Sequence, residues 1–85
     1  MKESEIIKAI EQRVKSAETK KYSIWTIGIT DDPARRKEEH GNPKYWMRWK
    51  ADTEAIARKV EKYFIAKGMK GATGGGEHPN HVYIF

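Results

Sequence analysis

The stretch that most constrains this chain is Thr26-Ile27-Gly28-Ile29-Thr30-Asp31-Asp32-Pro33, continued by Ala34 to His40. Its first part is apolar and β-branched, which suits a pleated, half-buried strand. Asp32 before Pro33 starts a helix: the carboxylate accepts from orphan backbone N–H groups, and the proline φ is already helical. Arg36 and His40 stand four apart and so share a helix face. Gly28 weakens the strand unless something approaches its backbone closely. A strand–turn–helix folds without any of these three, so Gly28, Arg36 and His40 together mark a candidate site.

The rest of the chain falls into alternating patterns. Ile6, Ile7, Ile10, Val14 and Ala17 recur at helical spacing, which predicts an amphipathic helix from Lys2 to about Thr19, covering one face of a sheet. Tyr22 to Thr30 reads as the first strand. Trp25, Ile27 and Ile29 point to the core; Ile24, Thr26 and Gly28 form a smaller floor, open to a ligand or to a packed helix. The helix after Pro33 ends near His40-Gly41. Tyr45 to Ala51 reads as the second strand, with Trp46, Arg48 and Lys50 on one face. An aromatic beside two cations suits a base or a phosphate backbone; the same residues also suit a solvated face with Trp46 packed on a helix.

Asp52 or Thr53 caps the next helix, which runs to about Lys67 with Ile56, Val60, Tyr63 and Phe64 buried and Glu61 at the edge of that stripe. Met69 to Asn80 reads as a loop containing a glycine-rich segment, 71–76. It lacks the Gly-Lys-Ser/Thr of a phosphate-binding P-loop. His81 to Phe85 is the last strand, Val82 and Ile84 lying opposite Tyr83 and Phe85. The element order is α-β-α-β-α-β. The link between the first two strands is too short for a comfortable parallel crossover. The expected class is therefore α+β, a small antiparallel or mixed three-stranded sheet packed with three helices.

Composition narrows the chemistry. At 85 residues the chain is expected to form one domain, 1–85, with a modest core. It has no cysteine, which excludes disulfides and thiolate chemistry and fits a cytoplasmic setting. Met1 to Lys21 is charged throughout, unlike a signal peptide, and no apolar run approaches a bilayer span, so no membrane is expected. The net charge is +5, from 17 basic and 12 acidic residues. The excess lies in the middle: residues 41–51 hold Lys44, Arg48 and Lys50 with no acid. That favours a polyanionic partner, nucleic acid before an anionic membrane surface, though ordinary solubility charge gives a similar balance.

Thr26-Ile27-Gly28-Ile29-Thr30 followed by Arg36 and His40 resembles the second half of the GIY-YIG nuclease signature, a Tyr-Ile-Gly strand followed by a helix carrying an arginine and often a histidine. The likeness continues through the Trp46–Lys50 strand to a helix of form Ala57-x-x-Val60-Glu61-x-x-Phe64-Ile65. The resemblance covers about Tyr22 to Gly76. It implies a GIY-YIG-like core over 22–85 and activity on nucleic acid, DNA first. By resemblance, Arg36 contacts the scissile phosphate, Glu61 binds Mg²⁺ or Mn²⁺, and His40 assists proton transfer. Arginine suits phosphate as a fixed fork of donors, and a hard divalent ion needs only one or two protein oxygens when phosphate and water complete its shell.

The chain departs from the signature where tyrosines belong. Thr26 stands in place of the Tyr-Ile-Gly tyrosine, and so becomes the substitute catalytic hydroxyl. The region about ten residues earlier, where the family's Gly-Ile-Tyr strand belongs, is the charged helix. Asn80 is the candidate for the family's late asparagine. The nucleic-acid face is expected to comprise Gly28, Trp46, Arg48, Lys50, Arg58 and Lys62. Two other readings stay open on the same residues: a non-catalytic nucleic-acid-binding module, and a protein-interaction module. Arg36 and Glu61 also suit a plain salt bridge, and His40 a helix C-terminal cap. His78 and His81, three apart, are a weak metal pair.

Overall fold

The computed structural model describes residues 1–18, 21–72 and 78–85. Thr19 and Lys20, expected at the end of the first helix, and residues 73–77, which take in most of the glycine-rich segment, lie outside the described residues. In chain order the elements are α1 (Glu3–Lys15), a 3-10 turn (Tyr22–Ile24), β1 (Thr26–Thr30), α2 (Pro33–Glu39), β2 (Met47–Lys50), α3 (Glu54–Ala66), β3 (Lys70–Gly71) and β4 (His81–Ile84). The described residues form three α-helices and a four-stranded mixed sheet in the order β2-β4-β1-β3. The α+β class is as expected; the strand number is not.

The fourth strand is β3, which runs parallel to β1 within the segment expected to be loop. Lys70-Gly71 carries no strand signal. Its place is set by the end of α3. Gly68 turns the chain with φ +117°, a conformation L side chains rarely adopt, and Met69 N donates to Phe64 O at 3.0 Å. Met69 is thereby buried, and Lys70 N reaches Trp25 O at 3.0 Å. The first strand is also shorter than its apolar run, because Tyr22–Ile24 forms a 3-10 turn closed by Trp25 N donating to Tyr22 O.

Strand β4 lies between β1 and β2 and is antiparallel to both. The alternating period of two then separates the sheet's faces. On one face Ile27, Ile29, Val82 and Ile84 join Trp25 and Ala51 against Ile6, Ile10 and Val14 of α1 and Ala57, Val60 and Phe64 of α3. Helix α1 packs chiefly along α3, and Arg13 Cζ lies 5.0 Å from the indole centroid of Trp25, just before β1. The other face carries Gly28, Thr30, His81 and Tyr83, and α2 reaches it with Arg36 and His40.

Two side-chain caps start the helices on either face of the sheet. Asp32 Oδ1 accepts from Arg35 N at 3.1 Å and starts α2 at Pro33. Thr53 Oγ1 accepts from Ile56 N at 3.2 Å and starts α3. Such caps contribute about 0.5–2 kcal/mol each. Thr30 is completely buried; its hydroxyl accepts from Asp32 N at 3.0 Å, which ties β1 to the cap of α2.

Candidate active site on the β1–β4 face

The site is built around a residue the sequence did not single out. Tyr83 sits opposite Gly28 in the β1–β4 register and is completely buried. Its ring crosses over Gly28: a Cβ at that position would overlap Tyr83 Oη and Cζ and stand 2.9 Å from Cε2. The glycine therefore has a packing reason, close approach of an aromatic ring from the neighbouring strand. The floor that the sequence left open to a ligand or a helix is filled by this phenol.

Tyr83 Oη is the meeting point of α2. Arg36 Nε donates to it at 3.2 Å, and His40 Nε2 lies 3.0 Å from it. Arg36 also pairs with Glu39 Oε1 at 3.2 Å. With Arg36 donating to the oxygen, the hydroxyl's own proton can go to His40 Nε2 in the tautomer that carries its hydrogen on Nδ1. Burial works against the Arg36 charge, but its hydrogen bonds to Tyr83 and Glu39 hold its pKa above the ordinary value. Burial, then the charge of Arg36, lowers the His40 pKa and favours neutral imidazole. Burial raises the Tyr83 pKa, against the hydrogen bond and charge of Arg36; the Glu61 and Glu39 charges push it further up.

Glu61 thus acts electrostatically on the same phenol from α3. Its own carboxyl is raised by burial, with the charges of Arg58 and Lys62 pulling the other way. Gly28, Arg36 and His40, chosen from sequence, are therefore gathered about Tyr83; Glu61 stays on α3 and bears on the phenol through its charge alone. Thr26 is displaced from that centre. It begins β1 two residues before Gly28, its backbone exchanges hydrogen bonds with Phe85 at 2.8 and 3.0 Å, and the hydroxyl beside Gly28 is that of Tyr83.

Aromatic rings roof this centre. Trp46 stacks on Tyr83 at 4.4 Å and 15°. Phe85 lies nearly parallel to both, 5.8 Å from Trp46 and 6.1 Å from Tyr83. His40 tilts against Phe85 at 4.8 Å. Arg48 and Lys50 are exposed on β2, paired in register with Tyr83 and His81. Arg58 and Lys62 are exposed on α3 beside Glu61, and Arg58 Nε donates to Glu54 Oε2 at 2.8 Å. Asn80 O accepts from Ala51 N at 2.7 Å. His78 is exposed, 3.7 Å from Glu54. His81 stays on β4, its pKa lowered by burial and then by Arg48 and Lys50.

Tyr83 and Phe85 were visible in the sequence only as the odd-numbered side of the last strand. Nothing there says which strand will lie beside Gly28. A concavity of about 460 Å³ lies between α1 and Tyr22, lined by Lys8, Glu11 and Lys15. It shares none of the lining residues of the Tyr83 centre. Among the described residues no group of three or more His, Cys, Asp or Glu side chains is arranged to hold a metal ion. None of their helices is long and apolar enough to cross a membrane. Comparison with protein-family models, with curated proteins and with solved structures finds no match.

Proposed function

We propose that this chain is a divergent GIY-YIG-type domain that acts on nucleic acid, with divalent-metal-dependent phosphodiester hydrolysis at the Tyr83 centre. One observation carries the reading: an arginine and a histidine from α2 converge on one phenol directly over Gly28. The resemblance asks for a tyrosine-bearing strand ahead of the glycine strand. Here the tyrosine comes after it, on β4.

The side chains divide the work by exposure. Arg36 presents its guanidinium to a phosphate and stabilises charge developing on its oxygens. His40, held neutral with Nε2 accepting from Tyr83, keeps its Nδ1–H to donate to a phosphate or leaving oxygen. Tyr83 is shut off from solvent, so it acts as a positioning residue, fixing Arg36 and His40 through its hydroxyl. Glu61 is a partly buried carboxylate beside the charges of Arg58 and Lys62, and one carboxylate suffices for an ion that also binds phosphate and water. A Mg²⁺ or Mn²⁺ held there would supply neutralisation of phosphate charge.

The test is nicking of single-stranded, duplex and branched DNA with Mg²⁺ or Mn²⁺. Cleavage is expected to vanish in Arg36→Ala and Glu61→Ala. In Tyr83→Phe it is expected to fall by about 10²-fold or more, since misplaced catalytic groups lose rate steeply. Absence of cleavage on all three substrates removes the enzymatic reading. The complete burial of Tyr83 favours a second reading, a non-catalytic nucleic-acid-binding module on the same face. That module keeps affinity that falls steeply with salt, as counterion release requires.

A further inference from the structure

We propose that the outward face of Trp46 is a stacking platform for one unpaired nucleobase, so that the nucleic acid this domain takes is single-stranded or frayed where it crosses β2. The proposal rests on the nucleic-acid reading above and adds the form of the strand.

Trp46 is only partly buried, and what holds it is a layer of rings. One indole face lies on Tyr83 at 4.4 Å and 15° and leans on Phe85 at 5.8 Å and 21°. That underlayer is rigid. Tyr83 is buried against Gly28 and tied by Arg36 at 3.2 Å and His40 at 3.0 Å. The indole plane is therefore set before any ligand arrives, and a flat partner loses little freedom of the protein by stacking on it. Along the same strand face, at alternate positions, follow Arg48 and Lys50, both exposed. One ring followed by two cations is the pattern that holds a single strand, a base on the ring and the phosphates on the charges. Bases of an intact duplex already stack on their neighbours and show only their edges in the grooves. A single indole face cannot engage them until they unpair.

The experiment is fluorescence anisotropy of the wild-type chain with three labelled probes of equal phosphate number at one low salt concentration. The probes are an oligodeoxynucleotide strand, the same backbone made abasic, and a blunt duplex. The base-bearing strand is expected to bind about 5- to 150-fold tighter than the abasic one, the range for stacking one base on an aromatic ring. Trp46→Leu is expected to erase that difference; Trp46→Phe keeps most of it. A ribonucleotide strand showing the same base dependence supports the proposal equally, since either sugar leaves the base face available. Equal affinity for base-bearing and abasic strands overturns the platform while leaving the nucleic-acid reading intact. So does a Trp46→Leu loss that is the same for both. Absence of binding to every probe at low salt overturns both. If Trp46→Leu does not fold, the wild-type comparison and Trp46→Phe still decide.

Discussion

The two faces of the β1–β4 pair are made from alternate residues of the same two strands, yet they are held by different forces. On one face Ile27, Ile29, Val82 and Ile84 meet α1 and α3, and the contact is apolar. On the other, Gly28 and Tyr83 replace bulk with a ring laid over bare backbone, and the phenol is held by directional bonds from Arg36 and His40. Hydrophobic burial depends on area and tolerates repacking. Hydrogen bonds to one buried oxygen depend on angle and distance and tolerate little. The first face makes the fold; the second fixes where three side chains stand.

The sharpest way to break that contrast is on the apolar face. Phe64 is completely buried between Tyr22 and Tyr63, with ring centroids 5.8 and 5.0 Å away. Phe64→Ala is expected to cost about 3–5 kcal/mol in chemical denaturation, enough to threaten the fold of so small a domain. All functions of the other face should then fail together. An undiminished unfolding midpoint would show that α3 does not anchor the core.

Gly28→Ala attacks the second face. The added methyl overlaps Tyr83 Oη and Cζ, and the ring cannot slide away because Trp46 is stacked on it. The expected cost is about 1–3 kcal/mol. The ring displacement should appear as shifted His40 and Trp46 side-chain resonances. A neutral Gly28→Ala with unmoved resonances would mean the ring does not lie over this glycine.

The smallest effect separates two titrations. The Glu61 carboxyl is raised by burial, against Arg58 and Lys62. The folded chain therefore binds its proton more tightly than the unfolded chain. Stability is then lost as pH rises from the ordinary carboxylate value, about 4.3, through the raised one. Glu61→Gln should raise the melting temperature slightly at pH 7, with the gain fading below about pH 4. His40 has the opposite sign, its pKa lowered by burial and Arg36. Its contribution is present above about pH 6.5 and is lost as pH falls through the lowered value. His40→Gln should flatten that acid limb. A melting profile unchanged by either substitution would place both groups in ordinary solvent.

The fold was legible where pattern is local. The helical stripes of Ile6, Ile10 and Val14 and of Val60 and Phe64 gave two helices, and Asp32-Pro33 gave the third. Helix and strand ends shifted by a few residues, as with the turn at Tyr22–Ile24, because the same apolar run satisfies a 3-10 turn and a strand. β3 was not legible, since Lys70-Gly71 pairs with β1 through position alone. Of the candidate residues, Gly28 stood out as a glycine inside a strand, Arg36 and His40 as a pair four apart on one helix face, and Glu61 as an acid at the edge of an apolar stripe. Thr26, expected as a catalytic hydroxyl, begins β1, and the hydroxyl over Gly28 belongs to Tyr83, 57 residues further along the chain.

By itself the sequence determined the three helices, the three strands other than β3, the caps of α2 and α3 and the apolar faces, because those follow from neighbours three, four or two residues away. Only the tertiary structure decided that β4 enters the sheet between β1 and β2 and so brings a phenol over Gly28. Strand order is a contest among alternative pairings of similar local pattern. It is settled by the burial of the whole sheet against α1 and α3, which no single segment encodes.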